Sequence, residues 1–243
     1  MLAPDDWALD GSERFNIFLH SKRSSWTSGD CVIKIFWYEQ NIFLFTYICI
    51  EIYSRGYLME LPEKNIAEKF HKGTVLLAEK LIGTKSEKFS TFPFVAKVGE
   101  NYACFVPGED LSKINLDYLH PYIVNAGLTL ELKLKQLLMV ENNDNVRGHN
   151  LGSLYKSLSS ESKTFISLHV LKRTSDSTDH RTIAEAAKNS FNLELKWEAE
   201  FLLEKSAYAF ERWRYLHEKN NKGSWFAGYI EVYNALDERI KSY

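Results

Sequence analysis

The chain has 243 residues, a formal net charge of −2, 45% hydrophobic and 26% charged residues. That is a globular composition, long enough for one large domain or two small ones. The near-neutral charge excludes a general pull on nucleic acid, so any such binding needs a local basic patch. Cys31, Cys49 and Cys104 show no CxxC spacing, which excludes a disulfide framework or cysteine zinc site and fits a reducing, cytoplasmic setting.

Residues 1–58 differ from the rest, with 12 aromatic residues and only two lysines. The apolar stretch 32–53 is interrupted by Lys34, Glu39 and Glu51, and its longest uncharged run is 11 residues. A helical membrane span needs about 20, and no basic leader or small-residue cleavage site is present. No membrane partner is expected. The β-branched and aromatic content favours strands. Met59 opens a stretch that reads like a natural start, so 1–58 is expected to be an atypical extension, poorly ordered or created by a start codon placed too far upstream. Residues 59–243 are expected to form the helical domain.

From Pro62, the spacing of Ile66, Phe70, Val75, Leu76 and Leu81 predicts a helix, with Gly83 as its stop. Residues 92–107 read as a hairpin: two β-prone runs flank Gly99-Glu100, and Pro107-Gly108 ends the second. This hairpin is the one β element expected after Met59. A short helix over 110–120 is expected to end near Pro121. A long central helix follows over 122–142, where Ile123, Leu128, Leu130, Leu132, Leu134, Leu137 and Leu138 bury more than one face. After the polar loop "NNDNVRG" comes the helix-prone "LGSLYKSL", then a helix over "SESKTFISLHVLKR" with Ser159 or Ser160 as its N-cap. Residues 173–182 read as a polar linker. Two helices, over 193–219 and 225–242, close the chain. The fold class is mainly α: a bundle of four or five helices with a small hairpin near its start.

Two stretches carry the candidate chemistry. In "RGHNL", Gly148 permits a turn, Asn150 caps the next helix, and His149 sits at the hinge, bonded to backbone or facing a partner helix. In "FERWRYLHEKN", Arg212 and Arg214 precede His217 on an expected helix, with Arg214 and His217 neighbours on its surface. An imidazole beside a guanidinium suits metal-independent RNA cleavage, since one moves protons and the other holds phosphoryl oxygens. The same residues also fit a salt-bridged surface face with Glu211 and Glu218. A phosphate loop of the GxxxxGK[ST] or GxGxxG type is absent, as is HExxH spacing among the histidines, so no cofactor and no metal is expected.

The order of segments, a leucine-rich helix "NAGLTLELKLKQLL", then "RGHNLGSLYKSL", then "FERWRYLHE", resembles the HEPN superfamily (higher eukaryotes and prokaryotes nucleotide-binding domain). The resemblance covers roughly residues 60–243 and is most similar to uncharacterised bacterial members. It implies a bundle of four or five helices, often a homodimer. It also implies a metal-independent endoribonuclease of a toxin–antitoxin or phage-defence system, with RNA or a nucleotide and an antitoxin or other protein as partners. The family signature, Arg followed after four to six residues by His, falls on Arg212 and His217, with Arg214 as the alternative arginine. Trp213 departs from the small polar or charged residue usual after that arginine. Glu131 matches an acidic position that orients the arginine, with His149 and Asn150 in support. Three readings stay open: a ribonuclease, a catalytically silent binding module, and a structural helical interaction protein. In each, the "GHNL" and "WRYLHE" segments are expected to touch.

Overall fold

The structure, a computed structural model, describes residues 23–28, 31–37, 66–89, 91–98, 101–107, 113–142, 147–207, 209 and 224–243. Among these residues the fold is mainly helical, with seven α-helices and one antiparallel sheet. The helices are α1 (Ile66–Ile82), α2 (Leu119–Asn142), α3 (Leu151–Lys156), α4 (Ser160–Thr174), α5 (Thr178–Phe191), α6 (Ala199–Lys205) and α7 (Tyr229–Lys241). The strands are β1 (Arg23–Ser28), β2 (Cys31–Trp37), β3 (Phe94–Val98), β4 (Asn101–Pro107) and β5 (Ser224–Phe226). The number of helices exceeds the expected four or five because α3 and α6 are pieces of two turns or fewer.

The expected hairpin is present: β3 and β4 pair from Phe94↔Phe105 to Val98↔Asn101, which leaves two residues for the turn. It is not an isolated hairpin, however. Strand β2 pairs along the free edge of β4, β1 pairs on β2, and β5 pairs on β3, giving the order β1-β2-β4-β3-β5. Successive residues of β3 and β4, Phe94 to Ala96 and Ala103 to Val106, are all buried. Both faces of the central strands are therefore covered, and such strands read as continuous apolar runs instead of alternating ones. Strand β5 corrects the expectation of helix from residue 225: Ser224–Phe226 is extended, and the last helix begins only at Tyr229.

Helix α2 is the axis of the helical layer and packs against α1, α3 and α7. Tyr122, Ile123, Leu130, Leu134, Leu137 and Leu138 are buried on it, as are Thr129, Glu131 and Lys133, so it is enclosed on more than one face as its leucine pattern predicts. Each fully buried Leu contributes about 1.5–3 kcal/mol relative to exposure. The boundary expected at Pro121 is absent. Leu116–Tyr118 forms a 3-10 turn and α2 runs on from Leu119 through Pro121. Pro121 lies in the first turn, where a missing N–H breaks no intrahelical bond.

Gly83 ends α1 with φ +79, as expected. The linker expected over 173–182 shrinks to a few residues, because the Ser177 side chain caps α5 at its start. Asn192, in the left-handed region at φ 51, stops α5. The long closing helix expected over 193–219 begins only at Ala199, and α6 runs to Lys205. Among the described residues, no helix is long and apolar enough to cross a membrane.

Candidate functional site

The "RGHNL" turn is built as its composition requires. Gly148 has φ +100, a conformation that costs glycine little and other residues more. Asn150 Oδ1 accepts the Ser153 N–H at 2.8 Å and caps α3. The start of α3 is docked on the end of α6, where the Leu151 N–H donates to the Ala207 carbonyl at 3.1 Å. A Cβ on Gly152 would lie 3.1 Å from Glu204 Cα, so glycine here sets how closely the two short helices approach.

This docking brings His149 to α2. Its Nδ1 lies 2.8 Å from Glu131 Oε1, and Lys135 Nζ, one helical turn along, donates to the same oxygen at 2.7 Å. The Glu131 side chain is 0% exposed, that of Lys135 19% and that of His149 37%. A buried carboxylate draws the ring proton to Nδ1 and fixes the orientation of the ring. A carboxylate behind a histidine that reaches the surface is the arrangement by which proteins orient acid–base imidazoles.

Of the residues expected to carry chemistry, the structure thus brings Glu131 and His149 together and gives Asn150 a capping role. Arg212, Arg214 and His217 lie outside the described residues, as does the expected contact of "WRYLHE" with "GHNL". What is described is the approach to that segment: the Ala207 carbonyl accepts from Leu151, and the Ala209 N–H donates to the Ser206 carbonyl at 2.8 Å. Both alanines are buried.

A second histidine–glutamate pair has no counterpart among the expected site residues. His180 of α5 and Glu231 of α7, each 3% exposed at the side chain, meet with Nε2 2.9 Å from Oε1. The Thr91 hydroxyl donates to that same Oε1 at 2.9 Å. His180 Nδ1 lies 2.6 Å from Ser177 Oγ, and the Trp197 ring stands edge-on to the imidazole at 4.4 Å. Trp197 Nε1 also donates to the His180 carbonyl at 2.9 Å. The signal in the sequence is positional. Glu231 stands four residues before buried Ala235, and His180 three before buried Ile183, so both polar residues occupy core positions of their helices.

Among the described residues, no group of three or more His, Cys, Asp or Glu side chains is placed to hold a metal ion. No family model, curated protein or solved structure matches the chain.

Proposed function

We propose that the chain is a HEPN-like, metal-independent endoribonuclease that works as a homodimer, its cleavage governed by a protein partner such as an antitoxin in a bacterial defence system. The observation that supports this reading is the buried Glu131 on the central helix, which holds His149 in a turn docked on the backbone just before the "FERWRYLHE" segment. In this reading His217 takes the proton from an RNA 2′-hydroxyl, whose oxygen attacks the adjacent phosphorus. Arg212, with Arg214 as the alternative, holds the non-bridging phosphoryl oxygens. The 5′-oxygen leaves with a proton from the second imidazole, His149, so the products are a 2′,3′-cyclic phosphate and a 5′-hydroxyl. Two such segments facing each other across a two-fold axis would form one composite cleft.

A second reading, a silent module that binds RNA, a nucleotide or protein, is favoured by one specific contact. Lys135 already donates to the same Glu131 oxygen as His149, so that oxygen is engaged within the chain.

Cleavage of RNA by the full chain in EDTA, with analysis of product ends, tests the proposal. The expected result is cyclic phosphate ends, with activity abolished in His217→Ala and strongly reduced in His149→Ala while both variants stay folded. Binding of RNA without cleavage would turn the assignment to the silent module. Neither binding nor cleavage would overturn both.

A further inference from the structure

Helices α4 and α7 hold a set of planar side chains at their common surface, none of which belongs to the proposed ribonuclease site. The imidazole of His169 lies on the ring of Phe165, with centroids 4.1 Å apart and planes 18° from one another. The guanidinium carbon of Arg239 stands 5.5 Å from the centre of the same Phe165 ring and 4.7 Å from that of Tyr243. Hydrogen bonds lock the polar members in place. His169 Nδ1 lies 2.7 Å from Glu238 Oε2, and Arg173, one turn further along α4, donates to Glu238 Oε1 at 3.2 Å. Arg239 Nε donates to Ser162 Oγ at 2.7 Å and Nη2 to the Tyr243 hydroxyl at 3.0 Å, and that hydroxyl donates to Glu141 at 3.3 Å. The His169 side chain is nonetheless 33% exposed and Tyr243 58%. Because the Tyr243 hydroxyl is engaged twice, its ring is the part left for a ligand.

Rings held flat at a surface have already lost the rotamer freedom that binding would otherwise cost. Beside them α4 exposes Leu168 at 61% and Leu171 at 52%, and the cations Lys172 and Arg173 are exposed next to these leucines. The carboxylates around the rings are engaged within the chain: Glu238 by His169 and Arg173, Glu161 by Arg239, Glu141 by Ser159 and Tyr243. A ligand therefore meets ring faces, Lys172 and the further N–H donors of Arg173, since a guanidinium has five. Flat faces beside cations fit a polyanion that carries unpaired planar groups, because bases stack on aromatic side chains while lysine and arginine neutralise phosphates. An acidic peptide would use the cations and the leucines but has no need of the fixed rings. We propose that this face of α4 and α7 binds single-stranded RNA, with bases on His169 and Tyr243 and phosphates on Lys172 and Arg173. The choice of RNA rests on the ribonuclease reading, and the face holds substrate beyond the residues that cleave it.

Fluorescence anisotropy on the full chain tests this with a short labelled 2′-O-methyl oligoadenylate, which has no free 2′-hydroxyl to attack its own phosphates, and with the same strand paired to its complement. Saturable binding of the single strand is expected, with weaker binding of the duplex, whose bases are hidden. His169→Ala and Tyr243→Ala should each weaken the single strand by about fivefold or more, the loss of one stacked base. Tyr243→Phe keeps the ring and should bind nearly as wild type does. Lys172→Gln should weaken binding at low salt and reduce its salt dependence. The Tyr243 variants keep the proposal testable if His169→Ala does not fold. No saturable binding of the single strand, equal affinity for the duplex, or affinity indifferent to both alanine variants would overturn the proposal. Ring-dependent binding by a chain that cleaves no RNA would keep this face and remove the ribonuclease, whereas cleavage by a chain whose affinity ignores the rings would do the reverse.

Discussion

The two histidine–glutamate pairs use the same chemistry in opposite settings. In both, a glutamate on a core helix accepts from a histidine and from one further donor on a single oxygen. His180 is enclosed: its side chain and that of Glu231 are both buried, and its other ring nitrogen lies against Ser177. His149 stands on a turn at 37% exposure, beside a Lys135 that also reaches the surface. A carboxylate thus serves to fix a histidine in both places, but only the surface one leaves its histidine partly exposed.

The sharpest way to break this contrast is to remove each glutamate. Glu231→Ala strands His180 and Thr91 in the interior. Breaking a buried pair costs about 3–5 kcal/mol, which for a chain of this size lowers Tm by roughly 10 °C. Glu131→Ala also removes an acceptor, but Lys135 and His149 can turn to water, so about 1–2 kcal/mol is expected. Urea unfolding of the two variants side by side measures both. Equal losses would show that His149 is tied to the interior as firmly as His180.

What can be read from the sequence divides along the range of the interactions. Asn150 as a cap, Gly83 as a stop and the β3–β4 hairpin are set by residues within a few positions of one another, and each appears where its pattern places it. The leucines of α2 likewise announce a helix enclosed on several faces. Strand β5 carries no such signal: it has three residues, and it is extended because Val95, Ala96 and Lys97 of β3 offer it an edge. The start of α5 falls in the linker expected over 173–182 because the buried stripe of this helix consists of His180, Ile183, Ala186 and Ala187, mostly small or polar residues that give weak periodicity. The His180–Glu231 pair spans 51 residues of sequence, and nothing local ties the two residues together. Glu131 stands out only through a family resemblance, and its bond to His149 depends on how the turn docks on α6.

A smaller effect sharpens the contrast at the surface pair. Asn150→Ala removes the cap that positions His149 and should cost about 1 kcal/mol, whereas Asn150→Gly should cost only a few tenths. If His149 acts in catalysis, RNA cleavage should fall further in Asn150→Ala than the stability loss accounts for, because the turn holding the imidazole loosens. Cleavage that stays at the wild-type rate in a folded Asn150→Ala protein would separate the turn from the activity.

The smallest effect at neutral pH comes from a histidine held by a hydroxyl instead of a carboxylate. His71 of α1 lies flat on Tyr233, with ring centroids 3.8 Å apart, and its Nδ1 is 2.9 Å from the Tyr229 hydroxyl. Burial pushes the Tyr229 pKa up, so its hydroxyl stays protonated. Burial, followed by the charge of Lys133, lowers the His71 pKa below 6.5, against the opposing pull of Asp237 and Glu68. His120 is lowered in the same direction, to about 4, by burial and then by Lys97. With folded pKa values below the unfolded one, the unfolded chain binds more protons as pH falls below 6.5, so acidification must destabilise the fold through both residues. The His71 contribution is identified by comparing the urea midpoint of wild type and His71→Gln between pH 7 and pH 5. The variant, which stays neutral, should lose less stability over that interval, and His120→Gln should flatten the further decline towards pH 4. An unchanged slope in His71→Gln would mean that the stacked imidazole accepts its proton without leaving Tyr233, and that a hydroxyl holds a histidine no less flexibly than the carboxylate holds His149.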